Sequence, residues 1–454
     1  MTRQTAPVSP PVVLTIAGSD SGGGAGIQAD LKTIEACGGF GTSAVTSVTA
    51  QNTTGVESTH VLPVGEIDAQ CEAVLSDFDV AAVKTGMLAT ADVVELVTDR
   101  VRDLDAPAVV DPVMVAASGD RLLAREAESA YEDLIAEATL VTPNADEAAV
   151  LTGVDPEDEA EARAAGERIV GMGADAALVK GGHLPGEDVV DVLVTGGGSE
   201  TFRHPRVDTE ATHGSGCTLS SAIATHLARG ADLSEAVSAG IDLLARAVRY
   251  NLDLGEGPGA VHHLVEARDA AAREGTAEAV RAAVEALVGR DLRPLVPEVG
   301  TNVAGATPYA ERPDEVAAVE GRIARTLSGA SPNQGVRFGA STYVANALLA
   351  AREVDADLRF AADYRCDAAV EDALDALDAP VVAVDRGEGP DEPDPDDRSA
   401  ATTAARVERA VANSEETPAA VVDRGTPGED LVYLFGADAD ELVERTHSVL
   451  DALD

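Results

Sequence analysis

The sequence predicts an α/β protein: a mostly parallel sheet covered by helices on both faces, followed by a second, smaller α/β domain. Three observations lead there. From Val12 to about Val248, short β-branched runs alternate with amphipathic, alanine-rich segments; strands that are apolar throughout and separated by helices belong to parallel sheets buried on both sides. At 454 residues, the chain exceeds the usual size of one domain. Near Glu266–Thr276 the alternation lapses into a charged, alanine-rich helix without a strand partner, and a new set of apolar segments follows. The expected organisation is a first domain over 1–265, a helical linker over 266–280 and a second domain over 281–454.

The strand candidates of the first domain are VVLTIAG (12–18), SAVTSV (43–48), VAAVKTG (80–86), AVVDPVM (108–114), LVTPN (140–144) and AALVKGG (176–182). Helical stretches such as Ala91–Val101 and Glu157–Val170 separate them. Asp188–Val194 and Thr201–Val207, joined through Gly196–Gly198, read as a hairpin added at one edge. Gly216–Arg229 and Leu233–Asn251 close the domain as helices. In the second domain, apolar segments lie near Gly335–Phe338, Val381–Val384, Ala419–Val422 and Leu431–Phe435, and Gly387–Arg398 reads as a solvated acidic loop. Asp385-Arg386-Gly387 and Asp423-Arg424-Gly425 repeat one turn, an echo that carries no weight.

Composition excludes several partners. Lys plus Arg is 33 against 80 Asp plus Glu, a net charge of −47; a nucleic-acid groove or an anionic membrane surface would need local positive potential. The apolar run at Val12–Ala17 is too short for a membrane span or a signal peptide. Cys37, Cys71, Cys217 and Cys366 form no CxxC pair, which argues against a disulfide framework or zinc site and for a reducing cytoplasm. Hydrophobic residues reach 45% but aromatics only 3%, so the cores must be built from Ala, Val and Leu. Only Lys32, Lys84 and Lys180 are lysines, so arginine supplies the other 30 of the 33 basic residues. A carboxylate-rich, lysine-poor surface suits molar salt, where like-charge repulsion is screened, and a halophilic source is expected.

Ligands in such folds sit at the C-terminal ends of the strands, where several residues gather. Ala17-Gly18-Ser19-Asp20-Ser21-Gly22-Gly23-Gly24-Ala25-Gly26 is a glycine-rich strand-to-helix turn, either a tight turn or a ligand site. It matches neither the P-loop nor the dinucleotide fingerprint cleanly. Thr212-His213-Gly214-Ser215-Gly216-Cys217-Thr218 leads glycines into a helix, so free N–H groups and the helix dipole make an anion hole. Cys217 in the first helical turn should have a depressed pKa, the alternative being a small buried cysteine. Asn144 and Glu147, with Asp111 ending another strand, offer oxygens to water-coordinated Mg²⁺; simple N-capping by Asn144 is the other reading. Lys180, beside glycines in a chain that avoids lysine, points to a phosphate contact or else to a solvated surface lysine.

Thr15–Asp20, Ala25–Lys32, Ala50-Gln51-Asn52-Thr53, Lys84–Leu88, Thr142-Pro143-Asn144 with Glu147-Ala148, Lys180-Gly181-Gly182-His183 and Thr212–Leu219 resemble, in order, hydroxymethylpyrimidine/phosphomethylpyrimidine kinases of thiamine biosynthesis. The resemblance runs from Val12 to Val265. It implies a ribokinase-like fold, Mg²⁺ and ATP, and two successive phosphorylations of 4-amino-5-hydroxymethyl-2-methylpyrimidine, to the monophosphate and then the pyrophosphate. By position, Gln51 and Asp30 would hydrogen-bond the aminopyrimidine, and Met87 and Gly18 would line its pocket. Gly214 and Gly216 would form the anion hole, and Lys180, Asn144 and Thr212 would contact ATP. Cys217 takes the place where many ribokinase-like enzymes carry an aspartate base, and would deprotonate or orient the hydroxyl. Gly23 and an extra glycine depart from the usual Pro-Ser-Gly-Gly loop. Pyridoxal kinases share the fold and some motifs, but the Gln51 and Met87 contexts favour the thiamine pyrimidine. Relatives of this kind imply a homodimer.

From about Arg281 the chain resembles the archaeal-type thiamine-phosphate synthase domain, through Leu295–Asn302, Val319-Glu320-Gly321-Arg322, Val336–Ser341 and Asp423-Arg424-Gly425. That enzyme joins pyrimidine pyrophosphate to thiazole phosphate. This half has no lysine, so arginine must contact phosphate, with Arg337 the first candidate and Arg322 the second. Tyr343 stands where the family tends to have histidine. The domain is either an active synthase or a binding module for thiamine intermediates.

Overall fold

A computed structural model describes residues 6–114, 130–182, 186–384, 400–424 and 430–453. His183, Arg386, the acidic loop Gly387–Arg398 and Gly425 lie outside the described residues. The chain divides into two compact units, Met1–Glu266 and Ala267–Asp454.

The first unit runs β1 (Val12–Asp20), α1 (Gly26–Ala36), β2 (Phe40–Asn52), β3 (Gly55–Val61), α2 (Val64–Leu75), β4 (Val80–Thr85), α3 (Ala91–Arg102), β5 (Ala108–Val110), α4 (Tyr131–Ala136), β6 (Leu140–Val141), α5 (Ala145–Thr152), α6 (Glu159–Gly171), β7 (Ala176–Val179), β8 (Asp188–Thr195), β9 (Gly198–Pro205), α7 (Ser215–Ala228) and α8 (Leu233–Arg249). Its nine strands form one sheet in the order β3-β2-β1-β4-β5-β6-β7-β8-β9. The strands from β2 through β7 are mutually parallel, and β3 and β8–β9 add antiparallel pieces at the two edges. One face packs Leu14, Ile16, Val83 and Val110 against α2, α3 and α4; the other packs Val13, Ala82 and Val109 against α7 and α8. Burial on both faces is why these strands lack polar alternation.

The β8–β9 hairpin lies at the edge where the sequence indicates it. The second hairpin, β2–β3, was not expected. Its turn is signed by Asn52, whose Oδ1 accepts from the backbone N–H and the hydroxyl of Thr54, an Asx turn ahead of Gly55. The pairing slips between Ala50 and Gln51, and such a bulge re-aims the side chain that follows it.

The second unit opens along α9 (Val265–Val288), a helix that contains the expected linker over 266–280 and runs past it; Val280, at the end of that stretch, and Ala283, Val284 and Leu287 beyond it belong to a core cluster of this unit. It continues with β10 (Asn302–Ala306), β11 (Val316–Val319), β12 (Ile323–Thr326), β13 (Gly329–Pro332), β14 (Val336–Phe338), α10 (Tyr343–Arg352), β15 (Phe360–Arg365), α11 (Ala368–Ala373), β16 (Val381–Val384), α12 (Ala400–Ala412), β17 (Ala420–Asp423), β18 (Leu431–Gly436) and α13 (Ala439–Leu453). Seven strands form a sheet in the order β14-β11-β10-β15-β18-β17-β16, antiparallel except for β16–β17. Neighbouring residues such as Val303 and Ala304 belong to different core clusters, so this sheet too is buried on both faces.

Candidate active site

The glycine-rich turn between β1 and α1 is organised by Asp20. Its Oδ1 accepts from Gly22 N (2.8 Å), and its Oδ2 accepts from Gly24 N (3.0 Å), Ala25 N (2.7 Å) and His213 Nε2 (3.1 Å). Burial alone would raise this carboxyl, but the bonds from His213, Ala25 and Gly22 outweigh it and hold Asp20 below the usual carboxylate range. His263 donates from Nε2 to Gly24 O at 3.1 Å; burial, helped by Lys32, pushes its pKa down to about 4, so the ring is neutral. A cleft beside this turn is lined by residues including Lys32, Asn52, Thr53, His213 and His263.

The turn supports the start of α7. Gly214 is the N-cap in the left-handed region (φ 85°), and a Cβ there would lie 1.9 Å from Gly24 O. Only glycine fits such a position. Ser215 N donates to Thr212 O, and no side chain caps the helix, so the N–H groups that follow, of Gly216 and Cys217, are left for an anion. A Cβ on Gly216 would come within 3.3 Å of both Asp111 Oδ2 and Lys180 Nζ, so the helix start faces a charged cluster.

That cluster is Asp111, Lys180 and Glu147. Lys180 Nζ lies 3.1 Å from Asp111 Oδ1 and 4.0 Å from Glu147 Oε2. Burial by itself would lower the Lys180 pKa, but Asp111 and Glu147 raise it, so the ammonium persists. Burial pushes the Glu147 carboxyl up to about 7, with Lys180 opposing and Asp111 assisting. Asn144 and Glu147 form a capping box on α5: each side chain accepts from the other's backbone N–H at 2.8 Å. The capping reading of Asn144 is therefore present in the fold, and it fixes where the Glu147 carboxylate points.

The donors at this place are hard oxygens, as Mg²⁺ requires. Among the described residues, no group of three or more His, Cys, Asp or Glu could enclose a metal. Asp111 and Glu147 therefore fit an ion that takes one or two carboxylates and fills the rest of its shell with phosphate oxygens and water.

Two expectations need correction. Cys217, partly exposed in the first turn of α7, was expected to have a depressed pKa. Burial pushes the thiol up to about 12, with Asp30 and Asp111 adding to the effect and Lys84 and the Gly26 backbone opposing it. The helix start does not offset the burial of the thiol and the field of the two carboxylates, so the group is a thiol at neutral pH. Asp30, expected to bond the pyrimidine, is wholly buried and already engaged by Lys84 Nζ (2.8 Å), Thr15 Oγ1 (2.6 Å) and Ser221 Oγ (2.9 Å). It anchors the floor of the site.

Gly18, Met87 and Gln51 do gather. A Cβ on Gly18 would lie 2.7 Å from Ser47 Oγ and 3.3 Å from Met87 Sδ. Gln51 is clamped by Ser21, whose hydroxyl donates to Gln51 O (2.6 Å) and accepts from Gln51 N (2.8 Å). Thr212 is exposed beside the helix start, and its carbonyl accepts from Ser215 N. Sequence reasoning assigned no role to Asp20, His213 or Lys84. For Lys84 a signal existed: it is one of three lysines in a chain that avoids them.

In the second unit, Arg337 is 71% exposed and pairs with Glu320 Oε2 at 2.8 Å; the surface ion pair, not a prepared phosphate contact, is what the fold holds. Arg322 is better built. It sits at φ 68°, uncommon for a side-chain-bearing residue, and donates to Gly300 O (2.8 Å) and buried Asp363 Oδ2 (3.1 Å). Burial pushes Asp363 up to about 6, opposed by Arg322 and the Asn302 backbone. Tyr343 begins α10, 41% exposed.

Residues 20–262, more than half of the chain, match the family described as phosphomethylpyrimidine kinase. The chain belongs to that family. Residues 279–448 match thiamine-phosphate synthase ThiN. The hydroxymethylpyrimidine/phosphomethylpyrimidine kinase of Streptomyces coelicolor is 51% identical over 264 residues, covering 58% of this chain and 98% of that protein. The thiamine biosynthesis bifunctional protein ThiED of Geobacter sulfurreducens is 46% identical over 259 residues, 57% of this chain and 53% of that one. Among solved structures, pyridoxal kinase from Bacillus subtilis in its ADP complex superposes with a TM-score of 0.53 at 34% identity, covering 57% of this chain and 98% of that one. Pyridoxal kinase from Staphylococcus aureus with AMP-PCP and pyridoxal gives 0.54 at 30% identity, covering 57% and 96%. The phosphomethylpyrimidine kinase assignment accounts for the ribokinase-like sheet, and with the synthase-family domain it assigns the chain to thiamine biosynthesis. No described helix is long and apolar enough to cross a membrane.

Proposed function

We propose that the first unit transfers phosphoryl groups from ATP to 4-amino-5-hydroxymethyl-2-methylpyrimidine and then to its monophosphate. The observation that carries this reading is the convergence of the uncapped α7 start at Gly214–Gly216 on the Asp111–Lys180–Glu147 cluster. In-line phosphoryl transfer depends mainly on positioning and charge stabilisation. The α7 N–H groups hold the migrating phosphoryl oxygens, and Lys180 moves from its carboxylates toward ATP phosphate. Mg²⁺, held through Asp111 and Glu147, would supply charge neutralisation on the phosphates. Thr212 lines the same mouth, and Asn144 sets the position of Glu147. Gly18, Met87 and Gln51 seat the pyrimidine. Cys217, a thiol, orients the hydroxymethyl group. As the hydroxymethyl oxygen bonds to the γ-phosphorus and the bond to ADP breaks, the hydroxyl proton passes to an oxygen of the transferred phosphoryl group. The second transfer needs no proton removal because its phosphate nucleophile is already ionised.

Two features keep a second reading of the C-terminal unit open alongside coupling of the pyrimidine pyrophosphate to thiazole phosphate. Arg337 is engaged with Glu320 at the surface, and residue 343 is tyrosine. Both favour a module that binds a thiamine intermediate without turnover. A cytoplasmic, salt-adapted homodimer is the wider proposal, supported by the net charge of −47 and three lysines, by four free cysteines and by the family resemblance; sedimentation in low and molar KCl tests it.

The functional test is one product analysis in molar KCl with the pyrimidine, thiazole phosphate and Mg-ATP, run beside a second reaction with pyridoxal and Mg-ATP. Thiamine phosphate would establish both activities. Pyrimidine pyrophosphate accumulating alone would leave the kinase reading and favour the binding module. A folded protein that phosphorylates pyridoxal but not the pyrimidine would overturn the substrate assignment.

A further inference from the structure

Gln51 meets two partners, and together they decide which way its amide faces. Thr49 Oγ1 lies 2.8 Å from Ser19 O and 3.2 Å from the Gln51 amide. A threonine hydroxyl has one proton, and a backbone carbonyl can only accept. The proton therefore goes to Ser19 O, and Thr49 offers Gln51 a lone pair. The Gln51 atom nearest Thr49 must then be the NH₂ group, with the carbonyl oxygen on the other side; oxygen and nitrogen of an amide are assigned by this kind of network, not by shape.

The other side reaches the same answer independently. The second atom of the Gln51 amide lies 3.4 Å from His213 Nε2, and the same Nε2 lies 3.1 Å from Asp20 Oδ2. Asp20 Oδ2 already accepts from Gly24 N and Ala25 N, so it is an acceptor and His213 Nε2 must carry a proton. That proton points to Asp20; the Gln51 oxygen can share it as a second, longer acceptor, whereas an NH₂ there would set donor against donor, since a protonated ring nitrogen has no lone pair to offer. The ring has little freedom to escape: a Cβ on Gly24 would lie 2.6 Å from His213 Cδ2 and 3.1 Å from Nε2.

We propose that His213 is a specificity-determining positioning residue: its Asp20-anchored Nε2–H locks the Gln51 amide so that acceptor and donor face the substrate in one fixed order. This rests on the reading that Gln51 faces the pyrimidine. A 4-aminopyrimidine edge carries a ring-nitrogen acceptor beside an exocyclic NH₂ donor, complementary to an amide in one orientation. The 4-oxo analogue carries a ring N–H beside a carbonyl, the reverse order, and a locked amide refuses it because two donors and two acceptors would be opposed. A free amide would turn over and accept either. His213 also directly precedes Gly214, so one segment sets both the reading of the ring and the anion hole.

The test is the ratio of kcat/KM for 5-hydroxymethyl-2-methylpyrimidine bearing 4-amino against 4-oxo, measured for the full chain. His213→Leu should lower the ratio by about tenfold, the order of one hydrogen bond, with KM for ATP unchanged. His213→Gln, whose amide nitrogen Asp20 selects, should restore most of the ratio. Gly24→Ala, which displaces the ring without changing its chemistry, should lower the ratio as His213→Leu does. An unchanged ratio in His213→Leu and Gly24→Ala, with kcat falling equally for both substrates, would overturn the inference and leave His213 a support for Gly214. Gln51→Ala separates the two claims. If it collapses the ratio while the His213 and Gly24 variants do not, His213 alone is wrongly assigned; if it leaves the ratio intact, the placement of Gln51 against the pyrimidine falls.

Discussion

Replacing Lys84 by methionine keeps the side chain out to Cε and removes the charged Nζ from a place that water does not reach. Lys84 and Asp30 are both fully buried, with Nζ 2.8 Å from Oδ1. At an effective dielectric constant of 20, Coulomb's law gives about 6 kcal/mol at that separation, before desolvation is subtracted. Breaking a buried pair by removing one partner costs about 3–5 kcal/mol, because the other charge is left uncompensated. Asp30 would keep only the hydroxyls of Thr15 and Ser221. For a domain of this size, 1 kcal/mol corresponds to roughly 2–4 °C in Tm, so Lys84→Met should lower the melting transition of the first unit by about 6–20 °C. Asp30→Asn should cost a similar amount by stranding the ammonium. The double variant removes both charges and should fall short of the summed losses by about 3 kcal/mol. Burial works to lower the Lys84 pKa, but Asp30 raises it overall. The stability this gives is therefore fully present below the unfolded lysine pKa and is lost only as pH rises through the still higher folded value, so calorimetry at neutral pH sees the full effect. Additive single variants, or singles costing under about 1 kcal/mol, would refute the claim that the two charges hold each other.

Three further outcomes follow from the same reasoning. With the thiol of Cys217 pushed up to about 12, kcat/KM should not rise tenfold per pH unit between 7 and 9; Cys217→Ser should slow the first phosphorylation more than the second, in single-turnover assays of each. Asp363 has a folded pKa of about 6 against an unfolded value of about 3.9. The native state therefore binds more protons between those values, and stability falls as pH rises from about 4 to 6, by about 3 kcal/mol from this group; Asp363→Asn should flatten that slope in urea titrations reading the second unit. Arg337→Ala should change stability by less than about 1 kcal/mol, as an exposed pair does, whereas Arg322→Ala should cost about 3 kcal/mol by stranding Asp363, measured by the same titrations.

Much of this protein was legible in its sequence because local physics is strong where runs are long and apolar. The β-branched stretches at 12–18, 80–86 and 176–182 each contain a strand, and the glycines of 214–216 lead into α7 as spacing requires. Alanine-rich strands were not legible. Asn302–Ala306 holds one β-branched residue beside Asn, Gly and two alanines, which carries no strand signal, yet it is a central strand, and Gly305 is required there because a Cβ would meet Val280 and a Phe360 ring at 2.6 and 2.7 Å. That demand comes from residues far along the chain, where propensity has no reach.

The division is the same at the site. The sequence by itself determined the chemical inventory: a scarce lysine at a strand end, carboxylates spaced for one helix start, and an anion hole of glycines. Only the tertiary structure decided which groups are free to act. Asp30 is bound by Lys84, 54 positions away, and by Ser221, 191 positions away, and so serves the floor instead of the substrate. Cys217 keeps its proton because burial and two distant carboxylates outweigh its helix start. Ionisation and hydrogen-bond capacity depend on desolvation and on every charge within a few ångströms, and in a folded chain those neighbours are set by the fold, not by the residues alongside.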